Sequence, residues 1–189
     1  IGCDRPGPGG VETTHRGGEA GHSVRRVVDS EMQRMTGGWQ VLALTNSLRD
    51  GDFSSFRRIA AGFLDQYGKE GVVLVADRDG RQLFSSVASD PASLPVRNNR
   101  DIVEKVFATK KPQYSNLFIG AVKKRSIVTV EVPVLRDGEF LYDISFSPPI
   151  DVFQAILEKQ RPSQDWTISI FDREGVNFAR VPNPQETIG

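Results

Sequence analysis

The sequence LVADRDG at residues 74–80 recurs as SIFDREG at residues 169–175, and this pair decides the predicted fold. Each copy contains an apolar run, then an Asp-Arg-acidic-Gly turn, and each is followed by a second extended run. The offset from residue 74 to residue 169 is 95 residues, within the size of a small domain. Since hairpin turns of this composition are common, the repeat gains weight only from the elements around it.

Helical periodicity precedes the first copy. Apolar residues recur at intervals of three, four or seven, which predicts one long amphipathic helix with a kink at Gly37-Gly38. These apolar residues are Val24, Val28, Met35, Trp39, Leu42 and Leu48. Asp52 is then a good N-cap for a second helix, which Gly68 ends.

Short strands and two further helices follow. The Asp-Gly at residues 137–138 predicts a tight turn between two neighbouring antiparallel strands. Strands are predicted at 72–76, 82–87, 113–119, 126–134, 139–146, 167–171 and 177–181, and helices at 99–110 and between Pro148 and Arg161. The predicted organisation is a flexible Gly-rich leader (1–22), a long helix (23–50), a first lobe (51–148), a connecting helix (149–163) and the incomplete start of a second lobe (164–189).

Composition excludes several classes of protein. The chain has 189 residues, 24 basic and 24 acidic side chains, and one cysteine, Cys3. It is long enough for one full domain and part of another, and a zero net charge does not favour a nucleic acid as partner. An internal disulfide needs two cysteines, and no apolar run is long enough to span a membrane.

Catalytic and cofactor motifs are missing. His15 and His22 both precede the predicted folded region, so a Ser/His/Asp triad would lack its base. No histidine or cysteine lies between Met32 and Gly189, which disfavours haem and covalent flavin. We therefore expect no enzymatic activity in this chain, no cofactor and no metal site.

The order of elements resembles the extracytoplasmic Cache (PAS-like) sensor regions of bacterial receptors. The resemblance covers roughly residues 30–189. It rests on VADRDG at 75–80, NRD at 99–101, ATKKP at 108–112, YSNLFIGAV at 114–122, VPV at 132–134 and WTISIFD at 166–172. It implies an α+β fold, with a PAS-like antiparallel sheet flanked by a long N-terminal helix and the start of a second PAS-like lobe.

The same resemblance implies a function in signal transduction. The sequence is most similar to periplasmic regions of two-component sensor histidine kinases, anchored in the inner membrane by helices outside this chain. Diguanylate cyclases and chemoreceptors use similar regions, and a ligand-free dimerisation module is a further alternative. The apolar stripe of the long helix also predicts a homodimer through that helix.

A ligand site is predicted between the sheet and the insertion from Pro91 to Lys111. From Arg97 to Arg125 the chain has eight basic residues against two acidic ones, and Arg100 is the first candidate to turn inward and bind a carboxylate. Polar residues in the strands, together with Phe118, complete the predicted site: Tyr114, Asn116, Thr129, Glu131, Tyr142, Asp143 and Ser145.

Two simpler interpretations compete with this site. The basic residues could form a solvated face, and the polar strand residues could alternate toward solvent. Glu131 and Asp143 are the protein carboxylates that could pair with an inward arginine. In amino-acid-binding Cache domains a late aspartate holds the ligand ammonium, and Ser147 stands at the corresponding position here.

Overall fold

The computed structural model describes residues 11–13, 18–88, 90–161 and 163–182. They form two compact units. One contains residues 34–149, and the other contains residues up to 33 together with those from 150 onward. The helices are α1 (Gly18–Ala43), α2 (Asn46–Arg49), α3 (Phe53–Tyr67), α4 (Arg100–Thr109) and α5 (Ile150–Gln160). The strands are β1 (Val11–Thr13), β2 (Val72–Ala76), β3 (Gln82–Ser85), β4 (Gln113–Tyr114), β5 (Phe118–Ile119), β6 (Ser126–Ile127), β7 (Val130–Arg136), β8 (Glu139–Ser147), β9 (Ile168–Phe171) and β10 (Asn177–Val181).

The larger unit is built on an antiparallel five-stranded sheet. Its strand order is β3-β2-β8-β7-β4, so β2 and β8 are interior strands and the tight turn at Asp137-Gly138 joins β7 to β8. Both turn residues have positive φ, as the Asp-Gly sequence predicts. The α+β fold class and its antiparallel PAS-like sheet are confirmed.

Aromatic side chains fill the helix-covered face of this sheet. Trp39 of α1 stacks on Phe146 of β8 with ring centroids 4.5 Å apart. Phe56 of α3 meets Phe84 of β3 edge to face at 5.2 Å. All four side chains are almost completely buried, so this face supplies an apolar core.

The predicted cap of α3 is present. The Asp52 carboxylate accepts a hydrogen bond of 3.0 Å from the backbone N–H of Ser55. Hydrogen bonds from the side chain and then the backbone of Ser55 hold the pKa of Asp52 below its usual value. Gly68 follows the helix with a positive φ of 121°, a backbone angle that favours glycine. Local capping chemistry therefore sets both ends of this helix.

The two copies of the repeat form the same turn. Asp77 Oδ1 accepts hydrogen bonds from the backbone N–H groups of Asp79 and Arg81. Asp172 Oδ1 accepts from the corresponding groups of Glu174 and Val176. The aspartate thus holds each turn closed, and the repeat is structural.

The smaller unit contains the second copy. β9 lies between β1 and β10 in an antiparallel sheet, and α5 packs on β10 through Phe153 and Phe178, whose ring centroids are 5.3 Å apart. β1 and the first turn of α1 lie within the segment predicted to be a flexible leader, so part of that segment has regular structure. The remainder of the predicted leader lies outside the described residues.

Several predicted elements have different bounds. The first helix begins at Gly18 and runs through Gly37-Gly38 to Ala43, and residues near Leu48 belong to the short α2. The strand predicted at 113–119 is divided into β4 and β5, and the one predicted at 126–134 into β6 and β7. Among the described residues, no helix has both the length and the apolar character needed to cross a bilayer.

Candidate functional site

Alternation along the strands gives the sheet a second, polar face. In β8, Ile144 and Phe146 lie on the helix-covered face, so Asp143, Ser145 and Ser147 occupy the opposite one. The pairing of β8 with β2 and β7 places residues of both neighbouring strands on the same polar face. Ala76 lies opposite Asp143, and Glu131 of β7 lies opposite Ser145.

A pocket lies over this polar face. It holds about 460 Å³ of empty space including its open mouth, of which about 30 Å³ is wide enough for the centre of a water molecule. Nine of the sixteen lining residues are polar or charged, and the other seven are apolar or glycine. The lining residues are Val72, Leu74, Gln82, Arg97, Asn98, Asn99, Phe118, Gly120, Ala121, Val122, Lys123, Arg125, Ile127, Thr129, Ser145 and Ser147.

Arg97 connects this pocket to two buried carboxylates. Its Nη1 donates to Glu131 Oε2 at 3.0 Å and to Asp143 Oδ2 at 2.8 Å, while its Nη2 donates to Glu131 Oε1 at 2.5 Å. The side chains of all three are at most 2% exposed. Thr129 Oγ1 donates a further hydrogen bond of 2.5 Å to Glu131 Oε1. We call Arg97, Glu131 and Asp143 the buried triad.

The two carboxyl groups of the buried triad have opposite pKa shifts. Burial raises the pKa of Asp143 well above its usual 3.8, and the nearby charge of Glu131 adds to this rise. Burial also opposes ionisation of Glu131, but the charge and hydrogen bonds of Arg97 hold its pKa below the usual 4.5. Burial opposes the charge of Arg97 too, yet the two carboxyl groups raise its pKa. The raised pKa of Asp143 makes this carboxyl group easier to protonate than Glu131, which limits the uncompensated negative charge beside Arg97.

Two buried amides and one hydroxyl of the pocket present unpaired polar atoms. Gln82 Nε2 donates to the carbonyl of Pro95 at 2.6 Å, and Asn99 Oδ1 accepts from Arg97 Nε at 3.2 Å. Within the described residues no protein group pairs with Gln82 Oε1, Asn99 Nδ2 or Ser145 Oγ, all of which are buried. Unpaired buried polar atoms are costly, and these three are closed to solvent although their residues line the pocket.

A small hairpin formed by β5 and β6 covers the pocket. Asn98 Nδ2 donates to the carbonyl of Ile119 at 2.7 Å on one side of it. On the other side Arg125 Nη2 donates to the carbonyl of Glu70 at 2.9 Å, and Lys123 Nζ donates to the same oxygen at 3.3 Å. The hairpin is thus attached to the body of the unit by a few exposed contacts.

The predicted site residues fall into three groups. Phe118, Thr129 and Ser145 line the pocket, and Glu131 and Asp143 lie behind Arg97. Tyr114 and Tyr142 are on the helix-covered side, where Tyr114 shares a hydrogen bond with Thr36 and Tyr142 contacts Phe53. Asn116 is half-buried between β4 and β5 and is not among the lining residues.

The inward arginine is Arg97, whereas the sequence favoured Arg100. Arg100 is exposed at the start of α4, because Ile102, Val103 and Val106 occupy the buried side of that helix. Arg97 has protein carboxylates as partners, which removes the original reason to expect a ligand carboxylate. Arg97 belonged to the basic stretch recognised in the sequence and Asn99 to the NRD motif at 99–101, but neither was predicted as a site residue, and Gln82 carried no distinguishing signal there.

Comparisons with known proteins agree with this architecture. No protein family model matches the sequence, and no curated protein matches it. The ligand-binding domain of the Campylobacter jejuni chemoreceptor Tlp3, in complex with 4-methylisoleucine, is similar in structure, with a TM-score of 0.57 and 13% identity. The match covers 86% of this chain and 64% of that domain, so the chain spans less than two thirds of its length.

Two other solved structures are similar. One is the extracellular domain of a protein named as a histidine kinase, rpHK1S-Z16, with a TM-score of 0.56, 15% identity and coverage of 88% of this chain and 72% of that one. The other is the ligand-binding domain of the Pseudomonas aeruginosa PAO1 amino-acid chemoreceptor PctC with GABA, with a TM-score of 0.50, 16% identity and coverage of 73% and 62%. The chain has the Cache sensor fold.

The Cache fold predicted from the sequence is therefore confirmed. The similar structures are described as ligand-binding or extracellular domains of receptors and kinases. At 13–16% identity the likeness concerns the fold, and function depends on the site.

Proposed function

We propose that this chain is an extracytoplasmic small-molecule sensing region of a transmembrane signalling receptor. A two-component sensor histidine kinase is the first candidate for the parent protein, with a chemoreceptor or a diguanylate cyclase as alternatives. The observation that carries the proposal is the pocket over the polar face of the sheet, with buried polar atoms that lack a protein partner. A periplasmic location is part of the same proposal, because the similar structures include extracellular and ligand-binding domains.

The solved neighbours indicate which ligands to test first. Tlp3 was crystallised with 4-methylisoleucine and PctC with GABA, so amino acids belong in the first panel. Small carboxylates belong there too, as the basic segment at 97–125 suggested, together with amides and amines. A ligand at a hundred times its dissociation constant should stabilise the protein by about 2.7 kcal/mol.

The test is thermal unfolding of the wild type and two variants with this panel. Ser145→Val places two methyl groups against the pocket and should abolish the stabilisation by any ligand bound there. Ser54→Val, on the exposed side of α3, is the matched control and should keep it. If no compound stabilises the wild type, or if Ser145→Val responds undiminished, the pocket is not a ligand site and a ligand-free dimerisation module becomes the better proposal.

Homodimerisation through the N-terminal helix is a second part of this proposal. All six residues of the predicted apolar stripe, among them Val28, Met35 and Trp39, are buried within the chain. Val41, at 61% exposed, and Leu44, at 69% exposed just beyond the helix, are the apolar residues that remain accessible there. Sedimentation equilibrium should show self-association that Val41→Glu weakens, and a monomer at high protein concentration would contradict it.

A further inference from the structure

The pocket has little enclosed space. Of its empty volume of about 460 Å³, which includes the mouth, about 30 Å³ is wide enough for the centre of a water molecule. One water molecule needs about 10–15 Å³ of such space, so the pocket takes about two or three. An amino acid or a small carboxylate is larger than this. One side of the pocket therefore has to move before such a molecule can enter.

The two sides of the pocket differ in how they are supported. On one side the lining residues Leu74, Ser145 and Ser147 belong to interior strands of the five-stranded sheet. On the other side, seven of the sixteen lining residues lie between Phe118 and Ile127, in the hairpin formed by β5 and β6. Within the described residues, β5 and β6 pair with each other and with no strand of the larger sheet. A two-stranded hairpin by itself is only marginally stable.

The hairpin also buries little apolar surface. Phe118, Ala121, Val122 and Ile127 are half-buried, and Ile119 is 53% exposed. The aromatic core on the opposite face of the sheet is almost completely buried. Segments with few buried apolar contacts open at the lowest cost in free energy, so the hairpin should open before the sheet does.

The base of the hairpin is fixed to the sheet. The backbone N–H of Ser115 donates to the carbonyl of Thr129 at 3.0 Å, and the N–H of Thr129 donates to Ser115 Oγ at 2.8 Å. Both residues are buried. This pair lies where the chain leaves the sheet and where it returns, so it is placed to act as a hinge.

Exposed contacts hold the two sides of the hairpin, and we call them the latches. On one side Asn98 Nδ2 donates to the carbonyl of Ile119, and on the other Lys123 and Arg125 both donate to the carbonyl of Glu70. The guanidinium of Arg125 also lies 3.8 Å from the Glu70 carboxylate, whose side chain is 79% exposed. Exposed ion pairs contribute little to stability, so the latches can release while the base stays in place.

We infer that the β5–β6 hairpin is a hinged lid on the pocket. It turns about Ser115 and Thr129, it is held closed by the latches, and it opens without unfolding of the five-stranded sheet. That the lid admits a small molecule rests on the proposed function, whereas its opening can be measured without any ligand.

Cysteine accessibility tests the opening. In a Cys3→Ser background, Ser147→Cys places a thiol on the sheet side of the pocket, and Val73→Cys places one on the helix-covered face, opposite Phe146. Iodoacetamide, a small neutral reagent, should alkylate the first thiol about tenfold faster or more, because local opening costs less than global unfolding. Ser145→Cys is a second reporter on the pocket side and should behave like Ser147→Cys.

Breaking the latches should open the lid further. Asn98→Ala combined with Arg125→Ala removes a hydrogen bond on each side and should accelerate alkylation of the Ser147→Cys thiol by about tenfold. Because the loss of a nearby cation lowers the reactivity of a thiol, an acceleration reports access. Lys124→Ala removes an exposed cation of the same hairpin and is the matched control, which should leave the rate unchanged. The rate for Val73→Cys should be unchanged in every case.

Two outcomes would overturn the lid. Equal rates for Ser147→Cys and Val73→Cys would mean that the hairpin opens only when the whole domain unfolds. A fast reaction that the double latch variant does not change would mean that the reagent enters through the standing mouth of the pocket. If the rates follow the expectation but no compound of the panel stabilises the wild type, the proposed function fails and the lid stands. Binding of a compound together with equal rates overturns the lid alone.

Discussion

The two faces of the five-stranded sheet are equally buried but chemically opposite. On the helix-covered face, Phe146 stacks on Trp39. On the pocket face, the hydroxyl of the adjacent Ser145 has no partner among the described residues, and Asp143 belongs to the buried triad. Burial alone therefore does not distinguish the residues that stabilise this domain from those available to a ligand. The distinction lies in whether the buried polar groups are matched within the protein.

Among substitutions on the two faces, Arg97→Ala should cause the largest loss in the free energy of unfolding. Removing the cation leaves Glu131 and Asp143 buried without their main partner, and breaking such a pair costs about 3–5 kcal/mol. Urea denaturation should show this loss in the free energy of unfolding. Arg100→Ala is the matched control and should change it by less than about 0.5 kcal/mol, because Arg100 is exposed.

A triple variant tests whether the instability of Arg97→Ala comes from the two carboxyl groups that it leaves buried without a cation. Replacing all three members by apolar residues, as Arg97→Met with Glu131→Leu and Asp143→Leu, removes the charges together. Such replacements are often neutral or stabilising, so this variant should recover most of the stability lost in Arg97→Ala. Equal destabilisation of the single and triple variants would show that the loss in Arg97→Ala does not come from uncompensated buried charge.

The pH dependence of stability gives the next effect. Above the usual pKa of 3.8, unfolded Asp143 is ionised, while the folded protein keeps it protonated up to its raised pKa. The folded state then holds the extra proton, so this group lowers the free energy of unfolding by about 1.4 kcal/mol for each unit of pH increase in that window. Glu131 has the opposite sign, but its contribution is confined to pH values near and below 4.5.

Urea denaturation from about pH 5.5 upward should reveal this slope and its end at the folded pKa of Asp143. Asp143→Asn keeps a polar side chain but cannot titrate, so its stability should fall less steeply with pH than that of the wild type. Parallel curves for the two proteins would show that Asp143 is ionised in the folded state.

The smallest changes in stability are expected for substitutions at neighbouring residues on opposite faces of the sheet. Phe146→Leu removes the stack on Trp39 and should cost about 0.5–1.5 kcal/mol beyond the lost apolar area. Ser145→Ala removes a hydroxyl that lacks a partner and should be neutral or slightly stabilising. Thermal unfolding of both variants measures the difference, and a larger loss for Ser145→Ala would mean that its hydroxyl is satisfied in the folded protein.

Much of the fold could be predicted because its signals are local. Asp52 and Gly68 bracket α3, and Asp137-Gly138 forms the predicted turn. Element ends were less predictable. The first helix was expected to continue toward Leu48, but it ends at Ala43, and Leu48 belongs to the short α2. The helix also continues through the glycine pair, where a kink was expected. Neither glycine forces a break, because helix-interior glycine costs only about 1 kcal/mol, which tertiary packing can offset.

The candidate site was predictable only in outline. The sequence by itself determined the strands, the repeated aspartate turns and the set of polar strand residues, because strand periodicity and turn chemistry depend on near neighbours. The PAS-like arrangement of the sheet was implied by the resemblance to Cache regions. Which of those residues share a face with the pocket depended on the sheet register, which places Tyr114 and Tyr142 on the helix-covered side.

Only the tertiary structure decided which arginine turns inward. Arg97 lies in an extended segment without periodicity, and its backbone N–H donates to the carbonyl of Gly80 at 3.0 Å, which fixes the segment over the sheet. Arg100 begins an amphipathic helix whose buried side is already occupied by apolar residues, so its side chain stays exposed. The carboxylates that hold Arg97 are 34 and 46 residues away in sequence, and no local pattern encodes contacts over that distance.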